Sequence, residues 1–531
     1  DLAIEYDYDF NRLMKIRYPI FTQNNVTYTY GAPGMAGNAN GNRAGRVATV
    51  TDASGIEERC YGPLGETVKE GKTIPAGLTL GSGEQVYTTE YAYDTWNRLM
   101  AITFPDASTT LSDREVLTYG YDSGGLVNKA TGRRGNKNYT YLAELQYDKF
   151  GQRVFMELGN GVRTNYTYRA DNRRLDNLRS QLPNPSQYVF QNISYTYDAV
   201  GNITRTMNDV IIPANLTGND KRIGNRVGGP SVQIFTYDDL YRLTGATGSY
   251  QNRDNQTNRY TLSMQYDSIH NITRKQQVND IANQGGNANT INANTYDLAY
   301  HYVSPKPHAA SDAGNFDFMY DGNGNLVRRE NRDNNQTRQL IWDEENRLAC
   351  TQENKQGYLP QTPDSCVPSG SGNEGFYVYN SAGMRIYKNA GHRSYYVNQH
   401  FTEKGPNQFK HVFIGNQRLL TKKTENTPNK LEVLQWYSHS DHLGSTGYTT
   451  NANGELQEYI GYSPYGEQLV REHPSQPVDY MFTGKEYDSE TGYYYFGARY
   501  YDPRTSVWVS TDPAVQGEFL PSRDQSGKPW H

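Results

Sequence analysis

One short frame recurs along this chain and limits what it can fold into. It is an aromatic residue, Asp, two variable residues, Gly or Asn, Asn or Arg, a polar or cationic residue, then an aliphatic one. It reads YAYDTWNRLM at Tyr91 to Met100, LQYDKFGQRV at Leu145 to Val154, YTYDAVGNIT at Tyr195 to Thr204 and FTYDDLYRLT at Phe235 to Thr244. MQYDSIHNIT, FMYDGNGNLV and LIWDEENRLA follow, ending at Ala349. Copies mostly lie about 20 to 40 residues apart, the period of stacked repeat architectures. Such units add to their neighbours, so the chain extends one continuous structure rather than thickening a single core.

Within each unit, aromatics alternate with Thr, Ser or Gln, the signature of a half-buried strand. Gly-Asn, Asn-Arg or Gly-Gln at fixed offset supplies the positive backbone angle of a hairpin turn. The Asp accepts hydrogen bonds from amides of that turn, which gives the Tyr-Asp pair a structural task. Few amphipathic helices are discernible, and the expected fold class is all-β. Residues 30 to 45, 276 to 292 and 352 to 375 break the rhythm and read as polar loops. RVATVTDASGIEERCYGPLGE, within 46 to 66, reads as a variant repeat.

Composition agrees with sheet. The chain has 531 residues with 46 Tyr, 50 Gly and a mean hydropathy of -0.85, which suits thin sheet wetted on both faces. Its 52 basic and 57 acidic residues are mixed along the chain, with no basic stripe for nucleic acid and no cationic amphipathic stretch for a membrane. No apolar run approaches the roughly 18 residues that span a bilayer. The opening DLAIEYDYDF lacks Met and a signal-type stretch and begins inside a repeat (Tyr8, Asp9, Asn11, Arg12, Leu13), as a piece of a longer protein would. Cys60, Cys350 and Cys366 are too few for a disulfide framework or a zinc site; Cys350 and Cys366 either bridge a loop or are free thiols.

From about residue 430 Gly and aromatic density rise. The strings DHLGST (Asp441 to Thr446), GYSPYGE (Gly461 to Glu467), FTGKEYDSETGYYYFGARYYDP (Phe482 to Pro503) and STDPA (Ser510 to Ala514) stand in order. With the repeats before them, these strings resemble the RHS/YD-repeat family and its RHS-associated core module. The resemblance divides the chain into YD repeats at 1–430, the core module at 431–515, and a tail at 516–531. It implies a β-sheet strip spiralling into a hollow shell closed by the module. In bacterial polymorphic toxins and toxin-complex C components, such a shell holds a C-terminal toxin that the module cuts free. A cell-surface adhesion or structural shell without cargo is the competing expectation. The implied partners are the chain's own C-terminal toxin domain, with a second shell component or secretion machinery. The implied location is secreted or at the surface of a bacterium.

The self-cleavage that the resemblance implies is of aspartyl-protease type, in which two close carboxylates share a proton. The family's motif positions fall on Arg499 and Asp512, which would hold charge and act as acid or base. Their thirteen-residue spacing fits strand, turn at Pro503 to Ser506, and returning strand. Asp502 before Pro503 reads as a turn former, with Asp524 a weaker partner carboxylate. Alternatively, Arg499 packs among Tyr494, Tyr495 and Tyr500, and Asp512 caps a turn. Two departures bear on this: Ser506-Val507-Trp508 stands where the family has Gly-Arg-aromatic, and the segment that usually carries the scissile bond does not follow before His531. Any enzyme activity is thus at most self-cleavage. His439 and His442 with Asp441 have metal-like proximity inside a core-module string, and no cofactor motif is present.

Overall fold

The computed structural model describes residues 4–31, 42–78, 83–105, 114–183, 188–211, 227–282, 288–303, 306–355, 357–366, 374–425, 434–473 and 479–513. Among them, 37 strands join one antiparallel sheet and four make a second, and helix is confined to short 3-10 turns. From Glu5–Asp9 to Gln468–Glu472 the strands pair in chain order, so the sheet is a long meander. Only Ala288–Thr290 stands aside, paired to Ile272–Ala282 beside the next strand of the meander.

The repeated frame builds each step of this meander. Asp198 Oδ1 accepts from the amides of Val200, Gly201 and Asn202 at 3.1, 2.7 and 2.8 Å. Asp94, Asp148, Asp238, Asp267 and Asp343 cap their turns likewise. The register slips by one residue at the frame aromatic, as between Thr196 and Tyr197 or Thr236 and Tyr237, a bulge that adds local twist. The frame tyrosine then reaches back across its partner strands. The hydroxyls of Tyr121, Tyr147, Tyr197, Tyr237 and Tyr266 donate to the carbonyls of Leu99, Val127, Leu175, Ile203 and Leu243 at 2.7 to 2.8 Å. Each of those carbonyls lies just beyond the turn of the preceding unit. An arginine from that unit covers the same ring, as Arg98 over Tyr121 at 4.5 Å and Arg242 over Tyr266 at 4.7 Å. Several units are therefore stapled to their predecessors by one hydroxyl and, in some, one guanidinium; the Trp342 unit uses its indole N–H, which donates to Leu326 O at 2.7 Å.

The meander wraps so that its later half lies on its earlier half in the same chain order. Tyr18 donates to Glu345, Ser381 N to Asp52, Asn398 to Thr89, Asn160 to Thr450, and Gln277 to Glu467. The largest apolar cluster lies between the halves, joining Ile102, Phe104, Leu117 and Leu158 to Tyr395, Phe401, Leu420 and Tyr437. This corrects the expectation of a sheet wetted on both faces: wrapping turns one face of each half inward, and the tyrosines form core.

Two of the expected loops are structured. Residues 272–282 form a strand paired along the whole of Thr257–Tyr266. Its inward side chains, Lys275, Gln277 and Asn279, are buried, so polarity there marks a polar interior rather than a surface loop. Within 352–375, the chain packs back on Gln336–Trp342 through Gln339 to Gly357 O and Gln361 to the Trp342 amide. Cys350 and Cys366 are disulfide-bonded there, and Cys60 is free. The variant repeat pairs Val47–Asp52 with Gly55–Tyr61 and carries the same staple, from Tyr61 to Val47 O at 2.7 Å. Most of the Gly/Asn-rich stretch before it lies outside the described residues.

Candidate functional site

Residues 479–513 form a small module of four short strands, Glu486–Asp488, Tyr493–Tyr495, Tyr500–Asp502 and Val507–Trp508. Its first hairpin turns through Glu490, Thr491 and Gly492, where φ of +77° favours glycine. After Tyr500–Asp502 the chain reverses at Pro503 to Ser506 and returns, with Val509 N donating to Tyr500 O. That reversal sets Arg499 beside Asp512: Nη2 lies 2.8 Å from Oδ2. The guanidinium also stacks over Trp508 at 4.0 Å. The hairpin geometry expected from the spacing is therefore present, and Trp508, the aromatic that the sequence keeps beside the departures at Ser506 and Val507, provides the platform. The side chains of Arg499 and Asp512 are 21% and 42% exposed, so the pair adds little to stability, about 0 to 1 kcal/mol.

The arginine packed among tyrosines is not Arg499 but Arg385, a residue of the sheet. Its guanidinium lies 4.2 Å from the Tyr495 ring and 5.6 Å from that of Tyr377. Arg385 pairs with Asp488, and with Glu486 at 2.9 Å, all three side chains being 0 to 4% exposed. Lys388 joins Asp488 at 2.7 Å, and Lys404 joins Glu486 at 2.9 Å and Asp479 at 2.7 Å. Burial opposes ionisation of Glu486, but the charges of Lys404, Arg385 and Lys388 outweigh it and hold the carboxyl well below its usual range. Arg338 adds a donor to Glu490 O at 3.1 Å, and Lys275 donates to both Pro503 O and Arg504 O at 2.9 Å. Burial pulls the Lys275 ammonium down to about 8, against the charges of Glu467 and Asp502 that raise it. Cations from strands spread over more than a hundred residues thus bolt the module to the sheet.

Sequence reasoning missed this cluster, although a signal existed: Glu486 and Asp488 alternate on one strand face, and Glu490 follows in the turn. Asp502 is a turn former, accepting from Arg504 N at 2.9 Å, with Arg329 3.7 Å from its second oxygen. Asp524 lies outside the described residues. His439 is buried edge-on to Phe190 with Nε2 2.8 Å from Thr450 Oγ1, and burial pulls it down to about 3. His442 instead meets the Tyr195 ring, and Asp441 caps the turn between them and Ser445. Among the described residues no cluster of His, Cys, Asp or Glu has the form of a metal site, and no helix is long and apolar enough to cross a membrane.

The teneurin YD-shell family profile matches residues 78–525 of this chain. The chain belongs to that family. Among curated YD-shell relatives, it is 25% identical to toxin subunit YenC1 of Yersinia entomophaga over 439 residues, 74% of this chain and 42% of that protein. Toxin subunit YenC2 of the same organism is 23% identical over 434 residues, 72% of this chain and 41% of that one. The chain therefore spans less than half the length of these relatives. A solved structure titled TcdB2-TccC3 superposes with a TM-score of 0.76 at 19% identity, over 97% of this chain and 26% of that one. The all-β fold expected from the repeats, and the shell architecture that the resemblance implied, are thus those of the family.

Proposed function

We propose that this chain is wall and closure of an encapsulating bacterial toxin shell, secreted, with a C-terminal polypeptide as its cargo. In this reading residues 1–430 are the strip, 431–515 the closing module, and 516–531 the lead toward the cargo. The observation that carries it is the bolting of residues 479–513 by Arg385, Arg338, Lys404 and Lys275. A closure held by buried, mutually neutralised charges resists opening, since separating them leaves each one unpaired in the interior. The similarity to two toxin subunits supports the cargo's class.

Arg499 and Asp512 are the residues proposed to cut the chain downstream of the module. Asp512 is open enough to meet water, and Arg499, held flat on Trp508, presents its charge to the carboxylate. Asp512 would take a proton from water as it attacks the scissile carbonyl. A second carboxyl, brought by the downstream chain, would protonate the leaving amide. Arg499 positions Asp512 and balances its charge.

The test is intact-mass analysis of the full-length natural protein beside its Asp512→Asn and Arg499→Met variants, with protease challenge of the downstream segment. A break beyond residue 512 in the parent alone, with a protected downstream fragment, is expected. An uncut parent overturns the cleavage role. A freely digested downstream segment overturns containment and favours a surface or structural shell.

A further inference from the structure

A cavity of about 630 Å³ lies at the seam between the two halves of the sheet, and neither Arg499 nor Asp512 lines it. Its walls include Tyr195, Tyr237, Tyr266, Tyr462, Tyr465 and Phe482. Three of these rings are held by their own hydroxyls, Tyr237 on Ile203 O, Tyr266 on Leu243 O and Tyr462 on Thr446 O, at 2.7 to 2.9 Å. The aromatic faces are therefore preorganised. Leu443 and Tyr241, 53% and 60% exposed, stand where the cavity meets solvent.

Two polar groups on the wall are only partly satisfied by the fold. Tyr195 is 4% exposed, and its hydroxyl has the His442 backbone beside it and no side-chain partner among the described residues. Asp441 lines the same cavity, with Oδ1 committed to the amides of Leu443 and Ser445 and no Arg or Lys paired with the carboxylate among the described residues. The cations nearby are otherwise engaged: Arg242 is paired to Asp238 at 2.7 Å, and His270 meets Arg242. His442, also on the wall, is half of the edge contact with Tyr195, and burial pulls its imidazole toward the neutral form against the charge of Asp441. Burial pushes the Asp441 carboxyl up against the charge of His442 and the turn hydrogen bonds, so a cation beside it would relieve that cost, and the ring faces have quadrupoles that also favour one.

We propose that this cavity binds an alkylammonium group, held by the Asp441 carboxylate and the surrounding tyrosine faces, with the Tyr195 hydroxyl as a further acceptor. The group can come from a free amine or from a lysine side chain of a polypeptide. The inference is independent of the cleavage reading.

Saturation-transfer NMR and titration of the whole chain with tetramethylammonium, n-butylammonium and an Nα-acetyl-lysine amide test it, with tert-butanol as a neutral control. Saturable binding of at least one cation, absent for tert-butanol, is expected; a preference for the lysine amide over n-butylammonium identifies the polypeptide source. Asp441→Asn should weaken binding about tenfold. Asn can keep the turn, because Asn380 and Asn451 cap equivalent turns of this chain. Leu443→Lys, which adds a cation at the mouth and keeps the backbone amide that Asp441 caps, should weaken it in the same direction. Equal binding of tert-butanol, or unchanged cation affinity in both variants, overturns the proposal.

Discussion

Arg385 and Asp488, 103 residues apart, form an ion pair in which both side chains are fully buried. Strand and module are joined at that point by a contact that water cannot replace. Asp488→Asn should cost about 3 to 5 kcal/mol, since it leaves Arg385 and Lys388 partly unpaired in the interior. Joint replacement by Met and Leu should cost less than the sum of the single changes. Denaturant unfolding of Asp488→Asn, of Arg385→Met and Asp488→Leu singly, and of the double variant reads this out; additive losses would show that the pair is not coupled.

Glu115 lies between Lys410 at 2.9 Å and Lys422 at 3.1 Å, with all three side chains 1% exposed. Burial pushes its carboxyl up, but the two ammonium charges outweigh burial and hold it at about 2, below the ordinary 4.5. The unfolded chain therefore takes up this proton first as pH falls. The stabilisation, on the order of 3 kcal/mol, is fully present above about pH 4.5 and is lost as pH drops toward about 2. Glu115→Gln should be less stable at neutral pH and lack that part of the acid slope. Melting temperatures across pH 2 to 7 measure both, and identical slopes would refute the assignment.

The repeat frame makes graded predictions. Tyr197→Phe removes one hydroxyl donated to Leu175 O and should cost about 1 kcal/mol. Asp198→Ala removes the acceptor of three turn amides and should cost about 1 to 2 kcal/mol. Asp198→Asn should be nearly neutral, as the capping Asn380 and Asn451 indicate. Equal losses for the Asn and Ala variants would mean that charge, not capping, is what the position requires.

The Cys350–Cys366 bridge closes a loop of 16-residue separation. Cys366→Ser should lower stability by about 3 kcal/mol on the chain-entropy account. Unfolding with and without reductant should reproduce that loss in the parent and leave the variant unmoved.

Legibility followed the range of the interaction. The capping role of Asp was readable because its donors are the next few amides. The staple made by the tyrosine hydroxyl was not, since its partner is a backbone carbonyl 14 to 34 residues back, which leaves no trace in side-chain pattern. The strand at Ile272–Ala282 was hidden for a related reason: Lys275 and Gln277 point inward to polar partners, so hydrophobic alternation is absent where strand alternation is real. The pairing of Arg499 with Asp512 was accessible from spacing across a single hairpin.

The sequence by itself determined a meander of stapled hairpins, because caps, turns and adjacent pairing act within a unit or between neighbours. Only the tertiary structure decided which units separated by some 300 residues meet, and therefore that Glu115 faces Lys410 and Lys422. It also decided that Arg385, rather than Arg499, is buried among the module's tyrosines. Those choices follow from how far the strip wraps, a sum of small twists over many bulged strands that no single repeat encodes.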